Sequence, residues 1–206
     1  MSDQVIVDLF NETALREKPL GGIMGNEEYD AFEREEIKKL LLSLDLETRG
    51  KILDAGAGIG RNTPILKELG FTDITAADFS HEMLKVLKNN HPDVKTHEVD
   101  LLDLSRFSDN YFDITFCMYV FIHITNDDDL AQAISELERV TSGPLIIGQV
   151  MDAENKPQHR VCKVREYFEM HPYFKKKQLD HFYKNLYEFP APDNSAINRI
   201  SFAIYR

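Results

Sequence analysis

Ten consecutive residues, Ile52-Leu53-Asp54-Ala55-Gly56-Ala57-Gly58-Ile59-Gly60-Arg61, restrict the fold more than any other stretch of the chain. An apolar run that ends in an acid and passes at once into alternating glycines reads as a buried strand turning sharply into a helix. Glycine permits left-handed backbone and lets a ligand approach the chain with no Cβ in the way. In open α/β sheets such a turn lies at the carboxyl edge of the strands, where ligands bind. A nucleotide-like ligand is therefore expected at this loop.

The rest of the chain agrees with that topology. From Lys51 onward, short β-branched runs alternate with helical patterns, the sign of a sheet built from βαβ units. A helix over about Asn62 to Leu69 ends at Gly70 in the C′ position. Asp73 to Ala77 is the second strand, and Ser80 caps a helix with Met83, Leu84 and Leu87 on its apolar face. Val94 to Val99 is a third, more polar strand. Phe112 to Met118 is a continuous apolar run of the kind buried on both faces of a parallel sheet. Asn126 and three following aspartates open a helix through about Val140, and Leu145 to Val150 is the next strand. Val164 to Met170 reads as a helix, and Leu179 to Phe189 with Asn198 to Tyr205 as a closing antiparallel hairpin. Upstream, Glu27 to Leu46 has helical spacing at Phe32, Ile37, Leu40, Leu41 and Leu44. The fold expected is α/β, Rossmann-like and doubly wound, with a mostly parallel seven-stranded sheet and a C-terminal antiparallel hairpin.

Length and charge narrow the classes further. A chain of 206 residues is one domain's worth. It divides into an N-terminal lid and helix (1–48), a cofactor-binding core (49–152) and a C-terminal substrate-side helix and hairpin (153–206). The net charge of −11 would repel a phosphate backbone, so no nucleic-acid partner is expected. No run of about 18 apolar residues suggests a membrane span, and no basic n-region with an apolar core precedes the fold, so a cytoplasmic location is expected. Asn11-Glu12-Thr13 matches a glycosylation acceptor triplet, which has no consequence without a secretory signal. Cys117 and Cys162 lack ligand spacing, as do His159, His171 and His181, and no metal is expected.

The glycine loop alone is ambiguous, since its glycines run GxGxG and not the GxGxxG of a dinucleotide fingerprint; its companions decide. Asp78 ends the second strand, where a carboxylate accepts both ribose hydroxyls, as nicotinamide and sulfonium cofactors both require. Asp100, after the third strand in VDLLDL, is placed to accept the exocyclic amine of an adenine, with Leu101 and Leu102 on the ring. In order, DAGAGIGR, AADFS, VDLLDL and FDITFCMYVFIHI resemble the motifs of class I S-adenosylmethionine-dependent methyltransferases, over about Lys51 to Val150. The resemblance implies roles residue by residue. Asp54 orients the loop, and Gly56 and Gly58 border the amino-acid end of S-adenosylmethionine, with Arg61 a further cofactor contact. Asp78 holds the ribose with Phe79 and Met83 beside it. Asp100, Leu101 and Leu102 hold the adenine, and Cys117 and Met118 lie under the methionine portion.

A narrower likeness is to the protein α-N-terminal methyltransferases. It rests on Leu20 to Gly25, Arg61, Tyr119, His123-Ile124-Thr125 and Ser201-Phe202-Ala203. The chain departs from that branch at Val150, where a substrate-binding asparagine is usual, and has only Glu166 as a loose counterpart of its acidic base. For chemistry, His123 is the candidate base and Tyr119 its catalytic neighbour just past the fourth strand. Tyr29, Phe32 and Phe121 are candidate acceptor contacts that would form an aromatic wall with Tyr119. The function expected is methyl transfer to an oxygen or nitrogen of a small molecule. A peptide amino terminus is the first alternative, and an NAD-binding oxidoreductase or non-catalytic binding module the second. The Gly21 to Gly25 segment is expected to act as a lid.

Overall fold

The computed structural model describes residues 8, 10–12, 14, 27–44, 46–121, 123, 124, 126–152 and 198–204. They fall into two compact units, Met1–Leu101 and Leu102–Arg206.

In the first unit, α1 (Glu27–Ser43) stops three residues before the Leu46 expected from periodicity. The Ser43 hydroxyl turns back to donate to the Leu40 carbonyl, and Leu44 N–H donates to Leu41 O, tightening the last turn. Ile37, Leu40, Leu41 and Leu44 are buried, as the spacing requires, and Leu42 on the opposite side is exposed. Three strands follow: β1 (Lys51–Ala55), β2 (Asp73–Asp78) and β3 (Lys95–Glu98), parallel and in the order β3-β2-β1. β1 and the middle of β2 are buried almost throughout, whereas β3 is polar and partly exposed.

Helix α2 (Thr63–Glu68) ends as its glycine demands. Gly70 has φ +95°, its N–H reaches Lys67 O, and Phe71 N–H reaches Leu66 O, which is the paired Schellman bonding that satisfies the last carbonyls. Among the described residues a Cβ at Gly70 would meet only Thr48, at 3.5 Å, so the strain of the left-handed backbone is what alanine would add. Gly70→Ala is expected to destabilise the fold by about 1–2 kcal/mol, read as a lowered midpoint in thermal denaturation. An unchanged midpoint would mean the turn is not formed in solution.

Helix α3 (His81–Asn90) starts at the predicted cap. Ser80 is extended and its Oγ accepts from Met83 N–H, with Met83, Leu84 and Leu87 buried beneath. His91 N–H closes on Leu87 O before Pro92.

In the second unit β4 (Ile114–Met118) is buried at every position, which explains its unbroken apolar character. It runs parallel to β5 (Leu145–Asp152), and β6 (Asn198–Ile204) pairs antiparallel on β5's other side with an irregularity between Ile147 and Val150. Helix α4 (Asp127–Val140) begins at Asn126, whose side chain accepts from Asp129 N–H. It buries Leu130, Ala133, Ile134, Leu137 and Val140 on one stripe. Thr115 and Thr141 hydroxyls pair at 2.6 Å and so satisfy each other inside the core. The expected strand Leu179 to Phe189, the other arm of the hairpin, and the helix Val164 to Met170 lie outside the described residues, as do Cys162 and the Gly21 to Gly25 segment. No helix among the described residues is long and apolar enough to cross a membrane.

Candidate functional site

The first unit builds its site where β1 and β2 end. Gly56 and Ala57 N–H both donate to Ala77 O, at 2.8 and 3.0 Å, which pins the glycine loop to the neighbouring strand. The loop then passes through three left-handed glycines, Gly56 at φ +70°, Gly58 at +53° and Gly60 at +83°. Two of them differ in what surrounds them. A Cβ on Gly60 would sit 2.8 Å from Leu87 Cγ, so this glycine lets α3 approach. Among the described residues a Cβ on Gly58 would meet nothing within 4 Å, so this glycine keeps a space clear of them.

Asp78 closes the arrangement. Its Oδ2 accepts from Gly58 N–H at 2.8 Å and its Oδ1 from Ser80 N–H at 2.9 Å. The carboxyl is buried. Burial pushes its pKa up, and the bonds from Ser80, Gly58 and Phe79 N–H pull the other way by favouring the charged form. A carboxylate has about four acceptor sites and only part of them is used here, so Asp78 retains capacity for ligand hydroxyls. Its own carbonyl accepts from Val99 N–H, joining the exits of β2 and β3. Asp54, the penultimate residue of β1, is 1 % exposed, and among the described residues neither carboxyl oxygen has a hydrogen-bond partner. Burial, and then the neighbouring Asp78 charge, push its pKa up to about 7.

The other expected cofactor contacts in this unit are placed as follows. Arg61 follows the loop, half-buried; Phe79 is half-buried; Met83 is buried in the first turn of α3. Asp100 is exposed just beyond β3, and Leu101 is buried. Tyr29 and Phe32 fall in the N-terminal half of α1.

Two residues of this site escaped the sequence reading. Phe10 meets Phe79 edge to face, with ring centroids 5.6 Å apart. Asn11 Oδ1 accepts from the Ser80 hydroxyl at 2.7 Å, so the half-buried asparagine of the Asn-Glu-Thr triplet is tied to the cap of α3. With a sequence separation of 69 residues, no local pattern announces that contact.

In the second unit Leu102 is half-buried, and Cys117 and Met118 are buried at the end of β4. Tyr119, the next residue, has φ +64° and its N–H donates to Gly148 O at 3.2 Å. Left-handed backbone at a bulky aromatic is strained, and such strain concentrates at functional positions. Phe121 is buried, and His123 N–H closes a turn onto Val120 O at 2.9 Å. The His123 residue is exposed at its surface, yet the protein packed around its ring holds its pKa below the ordinary histidine value. The ring is therefore neutral near pH 7. Among the described residues no group of three or more His, Cys, Asp or Glu side chains is arranged to hold a metal.

Comparison with known proteins agrees with this geometry. Residues 53–144 match the family model described as "Methyltransferase domain". Demethylmenaquinone methyltransferase of Paenarthrobacter aurescens is 33% identical over 109 residues, 52% of this chain and 41% of that one. The chain spans about two fifths of the length of the curated relatives it matches. Among solved structures, magnesium protoporphyrin IX methyltransferase from Synechocystis, with bound S-adenosylmethionine, superposes with a TM-score of 0.69. That match has 15% identity and covers 98% of this chain and 96% of the other. Phosphoethanolamine N-methyltransferase 1 of Haemonchus contortus, in complex with phosphoethanolamine and S-adenosylhomocysteine, gives 0.59 at 19% identity, over 73% and 33% of the two chains. The fold is thus the α/β Rossmann-like fold of these enzymes. An acid-tipped first strand, a glycine loop clamped by the second strand's acid and the matching family model come together in one segment: residues 53–144 match a methyltransferase domain, and the chain shares its fold with S-adenosylmethionine-dependent methyltransferases.

Proposed function

We propose that this chain transfers a methyl group from S-adenosylmethionine to an oxygen or nitrogen of a small-molecule acceptor by in-line displacement. The observation that carries the reading is the loop at Asp78. A carboxylate held from both sides by Gly58 and Ser80 N–H groups stands beside a glycine whose missing side chain leaves open space. That is a cradle for a ribose and the chain attached to it, and the GxGxG spacing with a second acid at Asp100 favours an adenosyl cofactor over a dinucleotide. The names of the relatives and neighbours, demethylmenaquinone, magnesium protoporphyrin IX and phosphoethanolamine methyltransferases, support an acceptor of low molecular weight.

S-adenosylmethionine supplies a methyl on a sulfonium, a leaving group already activated, so the protein has mainly to align the reactants and keep water out. Gly56, Gly58 and Arg61 receive the amino-acid end, Asp78 with Phe79 and Met83 the ribose, and Asp100, Leu101 and Leu102 the adenine. Cys117 and Met118 lie under the methionine portion, and Tyr29, Phe32 and Phe121 contact the acceptor. His123, neutral near pH 7, removes the acceptor's proton, and Tyr119 orients the acceptor.

Incubation with S-adenosylmethionine and a panel of small hydroxyl and amine compounds, read by mass spectrometry, tests the transfer. A gain of one methyl on a panel member supports it. Absence of cofactor binding at millimolar concentration, or tight NAD binding with indifference to S-adenosylmethionine, overturns it. Methylation of peptide α-amines alone replaces the acceptor class. Once an acceptor is in hand, His123→Ala should lower kcat by about a hundredfold and remove the acidic limb of the pH profile, which for wild type lies below the ordinary histidine value. An unchanged profile would take the base role from His123.

A further inference from the structure

We propose that Asp54 is a charge selector for the cofactor: it is a neutral carboxylic acid in the empty site and gives up its proton when the cationic sulfonium cofactor binds, so that the site favours that cofactor over its uncharged thioether product. The inference rests on the reading of this loop as the S-adenosylmethionine site.

Its basis is an imbalance between two neighbouring acids. In the parallel register of β1 and β2, Asp54 stands opposite Ala76, two residues before Asp78. Residues two apart on a strand share a face, so Asp54 and Asp78 lie diagonally on one face of the sheet, a spacing of about 7–8 Å between backbones. Asp78 has the amide donors of Gly58 and Ser80. Among the described residues Asp54 has none; it is 1 % exposed and stands opposite an alanine whose side chain offers no donor. A buried carboxylate without partners is costly, and a second negative charge beside Asp78 adds to that cost.

The nearby charges do not offset it. On β1 the other ionisable side chain, Lys51, is exposed at the far end of the strand. On β2, Asp73 is bridged to Lys95 at 2.6 Å. On α2, Lys67 is bridged to Asp93 and Glu68 to Lys38. Arg61 in the loop is half-buried and already engaged. The pKa of about 7, raised first by burial and then by Asp78, agrees with a proton held in the empty site.

The ligand changes the balance. In the amino-acid portion, ammonium and carboxylate offset each other, so the sulfonium is the net charge of the cofactor, and it disappears on methyl transfer. Inside a poorly screened site a positive charge favours ionisation of a nearby acid far more than in water. On binding, the Asp54 O–H bond breaks heterolytically, both electrons stay on the carboxylate, and the proton passes to solvent. After transfer the product no longer holds the second negative charge in place, and Asp54 takes a proton back.

Calorimetry on the full chain, in pairs of buffers of different ionisation enthalpy, tests this. At pH 6, S-adenosylmethionine should release close to one proton per site and S-adenosylhomocysteine almost none. Because about one site in ten is ionised at that pH, S-adenosylmethionine affinity should be about tenfold weaker at pH 6 than at pH 8. Asp54→Asn, isosteric and with no lost hydrogen bond in the empty site, should abolish both the release and the pH dependence. Buffer-independent heats at pH 6, equal release by the two ligands, or release that survives in Asp54→Asn would overturn the proposal. If that variant does not fold, the comparison of the two ligands on wild type decides. Absence of any binding heat at either pH would instead overturn the cofactor reading.

Discussion

Replacing Asp78 by alanine should weaken S-adenosylmethionine binding by about a hundredfold, the largest effect of any single site in the first unit. The carboxylate has two duties, and alanine removes both. It is the ribose acceptor in the proposed complex, and it is the anchor that holds Gly58 and Ser80 N–H groups at 2.8 and 2.9 Å. Leaving a buried donor without its partner costs about 1–3 kcal/mol, and about 2.7 kcal/mol corresponds to a hundredfold in affinity. Asp78→Asn keeps one acceptor oxygen and should lose about tenfold by the same reasoning. Isothermal calorimetry on both variants checks this. Wild-type affinity in the alanine variant would show that the ribose binds elsewhere, whatever happens to stability.

The second large effect separates two glycines that look alike in the sequence. Gly58→Ala should leave the thermal midpoint within a few degrees of wild type and reduce cofactor affinity by at least about tenfold. The backbone at φ +53° costs a side chain about 1–2 kcal/mol, but the added methyl meets no atom of the described residues within 4 Å. It fills space that the cofactor is proposed to use. Gly60→Ala reverses the pattern. Its methyl would lie 2.8 Å from Leu87 Cγ and 3.2 Å from His91 Cδ2, against a leucine with no exposed surface, and φ is +83°. Overpacking of this kind costs about 1–3 kcal/mol beyond the backbone strain. Denaturation and cofactor titration on the two variants therefore respond in opposite order. Equal loss of affinity with no loss of stability in both would show that the loop packs differently from the structure described.

The contrast also says what a sequence can and cannot disclose. Gly70 as a helix stop, Ser80 and Asn126 as caps and the buried run ITFCM were all legible, because each depends on residues within a turn or a strand of itself. The strand-end positions of the acids proposed to hold the cofactor were legible for a related reason. Strand ends are visible in hydrophobic patterning. The different neighbours of Gly58 and Gly60 were not legible, since the difference lies in where α3 packs. Nor was the lack of a hydrogen-bond partner for Asp54 among the described residues, with Ala76 lying opposite it. The left-handed backbone of Tyr119 was equally hidden, for no aromatic residue signals that conformation. The end of α1 at Ser43 in place of Leu46 reflects a serine that bonds its own helix, a competition that hydrophobic spacing does not register.

The bond between Asn11 and Ser80 has a consequence for the order of events in folding. Its two ends are 69 residues apart, so the loop it closes is large and the entropy of closure must be met before the contact gives anything back. The β1-to-α3 segment has much shorter closures and supplies the surface on which Phe10 and Asn11 settle. Docking of these N-terminal residues is thus a late step, and by the same reasoning an early one in reverse. Phe10 and Asn11 should exchange their amide hydrogens faster than the residues of β1 and β2. The turn carrying Asp78, Phe79 and Ser80 should be sensed by a chemical probe at residue 10 before any loss of helix or strand is detected.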